Sequence, residues 1–268
     1  RVASLFPVLV IASQFHLDPV LSNFSMWSET ANRPNTLLGN PTITGNFLAM
    51  IAPLCLMFSA WRYRIGMFLL LVVAIALTAS ATSCVAVWIA SILTWALQRR
   101  WKWSLAGLMG GLVGLVLLWR WGDLAGFLNP SGRWELWQTA MRFWAYRPFN
   151  AWVGYGAGSV GALTMNRVWD YGFLHNELLQ WLFEFGIIGV ALALWAMGIM
   201  LTQYRRFVWT GASTAWMGAA VAYGLISLTS FPFHIGSLLM VGVLIVAALV
   251  SHAQHGGSDG SGIRYPVG

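Results

Sequence analysis

Apolar residues in this chain come in long, nearly uninterrupted runs rather than in the two- or three-to-four-residue periods of half-buried elements. The runs fall at 46–61, 65–79, 83–97, 104–119, 178–201, 207–230 and 235–250. A further, shorter run covers 2–15. A helix that crosses a bilayer needs about 20 consecutive apolar residues, with a range near 17–25. Several of these runs are short, so tilt or local thinning must help them. The stretch 65–97 is too long for one helix, and it divides at Thr78–Ser83, where small hydroxyl residues cluster. The pattern predicts an all-α, polytopic transmembrane bundle of seven to eight spans.

Charge placement sets an orientation. Cytoplasmic loops carry the excess of Lys and Arg. With Arg62 and Arg64 inside, alternating spans put Arg99, Arg100 and Lys102 inside, and Arg205 and Arg206 as well. Two segments are then left outside: about 16–45 and a long loop, 120–174. We expect one membrane domain over 1–250, with a disordered cytoplasmic tail, 251–268, rich in Gly, Ser and His. Because the sequence starts at Arg1 and shows no signal peptide, part of a longer protein is expected to precede it.

Composition agrees. The chain has 268 residues, 58% of them hydrophobic and 9% charged, with mean hydropathy +0.68. Soluble domains carry about 25% charged residues, so too little charge is present to cover a water-facing surface. Trp occurs 17 times, and Trp favours the headgroup level of a membrane. The net charge of +7 sits in short clusters between apolar runs, which argues against nucleic acid as the partner. Cys55 and Cys84 lie in apolar runs and fit no metal or redox spacing.

The outer loop is the unusual segment. It holds Arg120, Arg133, Arg142, Arg147 and Arg167 and no Lys. Arg binds phosphate bidentately where Lys cannot, so the cluster reads as an anion site. The alternative is pairing with Asp123, Glu135 and Asp170, or contact with anionic headgroups. Ser131 is placed to cap a helix in which Trp134, Trp137, Met141 and Trp144 form an apolar stripe. Glu135, Thr139 and Arg142 form a polar one. That pattern fits an interfacial helix on the outer leaflet or a helix packed on the bundle. Arg147-Pro148 ends it. The glycines at Gly154, Gly156 and Gly158 would let backbone amides approach an anion.

His175 stands at the outer mouth of the next span, close to the Arg loop, and can titrate near neutral pH. Glu184 lies nine residues further along the chain, about 13 Å down an ideal helix. An acid at that depth is either functional or an interhelical hydrogen-bond partner.

The motif Ser131-Gly132-Arg133-Trp134, then Arg147-Pro148, Gly154-x-Gly156 and His175-Asn176-x-x-Leu179-Gln180-x-x-x-Glu184-x-Gly186-x-x-Gly189, resembles the bacterial O-antigen ligase and polymerase family, which also includes protein O-oligosaccharyltransferases. Upstream, Gly39-Asn40-Pro41-x-x-x-Gly45-Asn46-Phe47-Leu48-Ala49 resembles that family's segment before a span. The resemblance covers most of 36–240. It implies an inner-membrane glycosyltransferase that faces the periplasm and takes its glycan from undecaprenyl pyrophosphate. No metal, cofactor or nucleotide sugar is implied. The acceptor would be a lipid A–core sugar in a ligase, a growing glycan in a polymerase, or a protein. The resemblance implies His175 and Arg133 as catalytic residues, with Arg147, Asn176, Gln180, Glu184, Gly154 and Gly156 binding substrate, and the arginine cluster adds Arg142 to the substrate-binding set. The chain departs from the family at Ser80-Ala81-Thr82-Ser83, where many members have Ser-Arg-Gly. A membrane protein that binds lipid-linked glycan without turnover is the reading from another class.

Overall fold

A computed structural model describes residues 40–58, 60–121, 133–165, 172–203 and 211–255. All regular structure among these is helical. The elements are α1 (Pro41–Ile51), continued by a 3-10 turn (Ala52–Met57), α2 (Trp61–Leu77), α3 (Ala81–Leu97), α4 (Trp101–Trp121), α5 (Arg133–Ala145), α6 (Pro148–Val153), α7 (Ser159–Met165), α8 (Glu177–Gln203), α9 (Gly211–Ser227), a 3-10 turn (Pro232–His234) and α10 (Gly236–His255).

Every apolar run within these limits is a helix, with ends shifted by a few residues. The long stretch divides where the hydroxyl cluster predicts, since α2 ends at Leu77 and α3 begins at Ala81. α1 starts at Pro41, five residues before the run that predicts it. Asn40 is its N-cap: its Oδ1 accepts from Thr42 N at 2.8 Å and Ile43 N at 3.3 Å, and Pro41 at N1 needs no partner for an amide it lacks. At the other end of the chain α10 runs to His255, five residues into the segment expected to be a disordered tail.

Helix lengths qualify the membrane reading. One described helix, Glu177–Ile199, is long and apolar enough to cross a membrane, with 23 residues and mean hydropathy 2.0. The 17-residue helices α2, α3 and α9 are about 26 Å long at 1.5 Å per residue.

One core joins α1, α2, α3, α9 and α10. It contains Leu48, Met50, Leu71, Ile75, Ile226 and Leu238, each essentially inaccessible. Small residues allow the close approaches. A Cβ at Gly45 would press on Thr78, Ser80 and Ser83, and one at Gly218 on Thr94 and Pro53. A second, smaller core consists of Leu136, Ala140, Val160, Leu174 and Phe183, and it seats α5 and α7 on the start of α8. Large apolar side chains face outward elsewhere, among them Leu105, Met109 and Val116 on α4, Trp195 on α8, and Met240 and Leu244 on α10.

The two ends of the bundle differ chemically. α3 and α9 run antiparallel. Gln98 Nε2, past the end of α3, donates to Thr214 Oγ1 near the start of α9 at 3.1 Å. At the opposite end Thr229 Oγ1, past the end of α9, donates to Thr82 Oγ1 at 3.0 Å. The start of α2, the end of α3 and the start of α4 share the first end, which carries Arg62, Arg64, Arg99, Arg100 and Lys102. The second end collects hydroxyls, amides, histidines and buried carboxylates.

Candidate functional site

The polar end is assembled from five pieces of chain that are far apart in sequence. The α2–α3 turn supplies Ser80, Thr82 and Ser83, and α1 supplies Asn46. Ser83 Oγ lies 2.8 Å from Asn46 Oδ1 and 2.7 Å from Ser80 Oγ, and Asn46 Nδ2 donates to Ser230 Oγ at 3.2 Å. Asn46 and Ser83 are fully buried, so these bonds are what make their burial tolerable. The Ser80–Ser83 turn is therefore part of a hydroxyl lattice that ties it to α1 and to the segment after α9.

Arg133 opens α5 beside this lattice. Its Nη1 donates to Thr229 O at 2.6 Å, while its buried Nε has no hydrogen-bond partner. Burial lowers the Arg133 pKa, yet a guanidinium stays charged in proteins. This half-buried cation acts on His175. Burial first and the Arg133 charge second lower the His175 pKa to about 4. The imidazole is therefore neutral at physiological pH and has capacity to accept a proton. The His175 backbone is left-handed, with φ 53°, which is uncommon for a residue with a Cβ. The ring meets Phe231 edge-on, with centroids 4.7 Å apart.

Asn176 caps α8: its Oδ1 accepts from Leu179 N at 3.0 Å. Glu177, Gln180 and Glu184 follow on one face and are all buried. Gln180 Oε1 accepts from Leu174 N, and its Nε2 donates to Glu184 Oε1, both at 3.2 Å. Glu184 thus finds a partner on its own helix, where the sequence suggested one across helices. Glu177 Oε1 accepts from Phe233 N at 2.7 Å, and His234 Nδ1 lies 3.3 Å from each Glu177 oxygen. The Glu177 hydrogen bond, opposed by burial and supported by the charges of Glu177 and Glu184, raises the His234 pKa.

Three expectations change. Gly154 and Gly156 do not form an anion cradle. Their amides and that of Tyr155 donate to Asn150 O (2.7 Å), Glu184 O (2.9 Å) and Phe183 O (2.9 Å). The receiving carbonyls on α8 lie just before Gly186, where that helix kinks with φ 65° and ψ −170°. Arg142 and Arg147 are exposed, and Arg133 is the cation whose field reaches His175. Of these three arginines only Arg133 is withdrawn from solvent. The Arg120 side chain and Arg167, with Ser131, Asp123 and Asp170, lie outside the described residues. On α5 the buried face centres on Leu136 and Ala140, flanked by half-buried Trp137 and Trp144, while Trp134 is exposed. Leu136 and Ala140 pack with Val160 of α7 and Phe183 of α8, and the Trp137 and Trp144 indoles flank them. Glu135, Thr139 and Arg142 are exposed as their spacing predicts.

Of the residues that sequence reasoning singled out, Arg133 acts on His175, Gln180 bonds Glu184, and the Asn176 side chain caps α8. It missed Glu177 and His234 as site residues. A charged residue directly after His175-Asn176, and a His inside the break Phe231-Pro232-Phe233-His234 between two apolar runs, were the available signals. Among the described residues no group of three or more His, Cys, Asp or Glu is placed to hold a metal ion. Comparison with protein-family models and with curated proteins finds no match for the chain.

Proposed function

We propose that the protein is a polytopic inner-membrane glycan transferase of the O-antigen ligase type, with its site at the polar, periplasmic end of the bundle. The observation that carries this reading is the pairing of a half-buried arginine with a neutral histidine, Arg133 with His175, beside the buried Glu177, Gln180 and Glu184 and the exposed His234 bonded to them. The reaction breaks the bond between the anomeric carbon and the pyrophosphate of an undecaprenyl-linked glycan. It forms a bond from that carbon to an acceptor hydroxyl, for which a lipid A–core sugar is the first choice. Negative charge grows on the leaving pyrophosphate, and a preorganised guanidinium is placed to stabilise it. The acceptor proton goes to His175. A pyrophosphate beside Arg133 would offset the cation's field and raise the His175 pKa toward the range where a base works best.

The membrane half of the proposal is supported by the apolar outward faces of α4, α8 and α10 and by the contrast between a basic end and a polar end. Lipid is the solvent such faces fit. Labelling checks the orientation. In a Cys55→Ala, Cys84→Ala background, cysteine at exposed Glu135 is expected to react with an impermeant thiol reagent from the periplasmic side, and cysteine at exposed Lys102 is not. The reverse pattern would overturn the periplasmic site.

The reaction is tested by supplying membranes containing the protein with an undecaprenyl-pyrophosphate glycan and lipid A–core. Glycan appearing on the core supports a ligase. Extension of the lipid-linked glycan instead identifies a polymerase, and glycan binding with neither product leaves a binding protein.

A further inference from the structure

With His234 neutral, the network around it admits one arrangement of protons. Leu174 N–H is a donor, so the Gln180 oxygen must face it. The Gln180 amide nitrogen then faces both Glu184 Oε1 and His234 Nε2, each 3.2 Å away, and its two hydrogens serve one each. His234 Nε2 is therefore an acceptor, and the ring proton sits on Nδ1, pointing at Glu177. Glu177 is fixed in turn by Phe233 N. A chain of hydrogen bonds thus runs from the 3-10 turn Pro232–His234 through Gln180 to the amide of Leu174. The Leu174 carbonyl is held from the other side by Trp137 Nε1 at 2.7 Å. The next residue is His175, whose left-handed backbone persists only if its surroundings over-determine it.

We propose that Glu177 and His234 are a positioning pair for His175: they orient the Gln180 amide, which clamps Leu174 and so holds the His175 imidazole in place. The pair does not touch the reacting atoms in this proposal. The inference rests on the transferase reading for its catalytic consequence, but the clamp itself can be measured without turnover.

Hydrogen exchange on the protein in lipid nanodiscs reads the clamp. In His234→Ala the Leu174 amide is expected to exchange about tenfold faster or more, with residues 215–226 of α9 still protected. His234→Gln keeps an acceptor at the Nε2 position and is expected to restore slow exchange, whereas His234→Asn keeps only the Nδ1 side and is not. In the transfer assay His234→Ala should lower kcat about tenfold or more with KM little changed, and His234→Gln should recover it. Unchanged Leu174 exchange in His234→Ala would overturn the proposal, as would equal rates in His234→Gln and His234→Asn. The second comparison decides the matter even if the alanine variant loses protection throughout. A wild-type protein that transfers nothing, but whose Leu174 exchange responds as described, keeps the clamp and removes the transferase reading.

Discussion

His175→Ala is expected to reduce glycan transfer by about 10²–10⁴-fold, the usual contribution of a positioned acid–base group, with insertion and helix content unchanged. The pH dependence is the sharper test because it distinguishes this histidine from an ordinary one. Its pKa is lowered from 6.5 to about 4, by burial first and by Arg133 second. A lowered pKa means that the neutral form persists as pH falls through 6.5 and is lost only on approach to 4. The kcat/KM of the free enzyme should therefore stay level from about pH 8 to pH 5 and fall below that. Arg133→Ala removes the charge that contributes to the shift. It should move this acid limb upward while also lowering the rate, because the leaving pyrophosphate loses its cation. Arg133→Lys keeps the charge but not the fork, so it should keep the limb low and recover only part of the rate. A wild-type limb near 6.5 that does not respond to Arg133 would sink the pairing.

Stability follows the same linkage with opposite signs for the two histidines. His175, with a depressed folded pKa, contributes stability that is present above pH 6.5 and is lost as pH falls from there through about 4. His234, with a raised folded pKa, contributes stability that is full below 6.5 and is lost as pH rises through its folded value. Acidification of the resting protein should thus loosen the surroundings of His175, and it should tighten the Glu177–His234 contact at the expense of the Gln180 bond to His234 Nε2, which needs a neutral ring.

These particulars show what a sequence of this kind can convey. The helices were legible because apolar runs of 15 residues and more, separated by short breaks, are too long for strands. Even the division at Thr78–Ser83 follows from local composition. Glu184 was legible because an ionisable group is expensive within an apolar run, and His175 because it stands at the mouth of that run beside the Arg-bearing segment, whereas Gln180 came only with the family resemblance. The burial of Asn46 and Ser83 was not, since a hydroxyl near a helix end is ordinary until its partners from α1 and α9 are seen. Nor was the difference among the arginines: Arg133, Arg142 and Arg147 share one loop, and only packing against Thr229 takes Arg133 out of solvent. The glycines misled for a related reason. A run of glycines makes backbone amides available, but it does not say whether an anion or a carbonyl will take them.

That joint carries the other large expected effect. Gly154→Ala or Gly186→Ala should cost about 2–6 kcal/mol, combining overpacking with strain at a left-handed backbone position. At Gly154 a Cβ would collide with the Glu184 carbonyl, and at Gly186 with the Trp152 carbonyl, so each new methyl group meets backbone that cannot turn aside. The loss would spread to the site. The Glu184 and Phe183 carbonyls just before the kink in α8 would lose the Gly156 and Tyr155 amides. The stacked Tyr155–Phe183 rings, 4.8 Å apart, would separate, and Glu184 would no longer be held beneath Gln180. Gly110→Ala and Gly114→Ala on α4 supply the contrast. Nothing lies within 4 Å of a Cβ at either position, and alanine favours a helix over glycine by about 0.5–1 kcal/mol, so both should be neutral or slightly stabilising. Thermal unfolding in detergent micelles compares the four variants directly. Equal midpoints for Gly154→Ala and Gly110→Ala would mean that the turn does not lock the kink, and that the paired motifs Gly154-x-Gly156 and Glu184-x-Gly186 are free to serve a ligand after all.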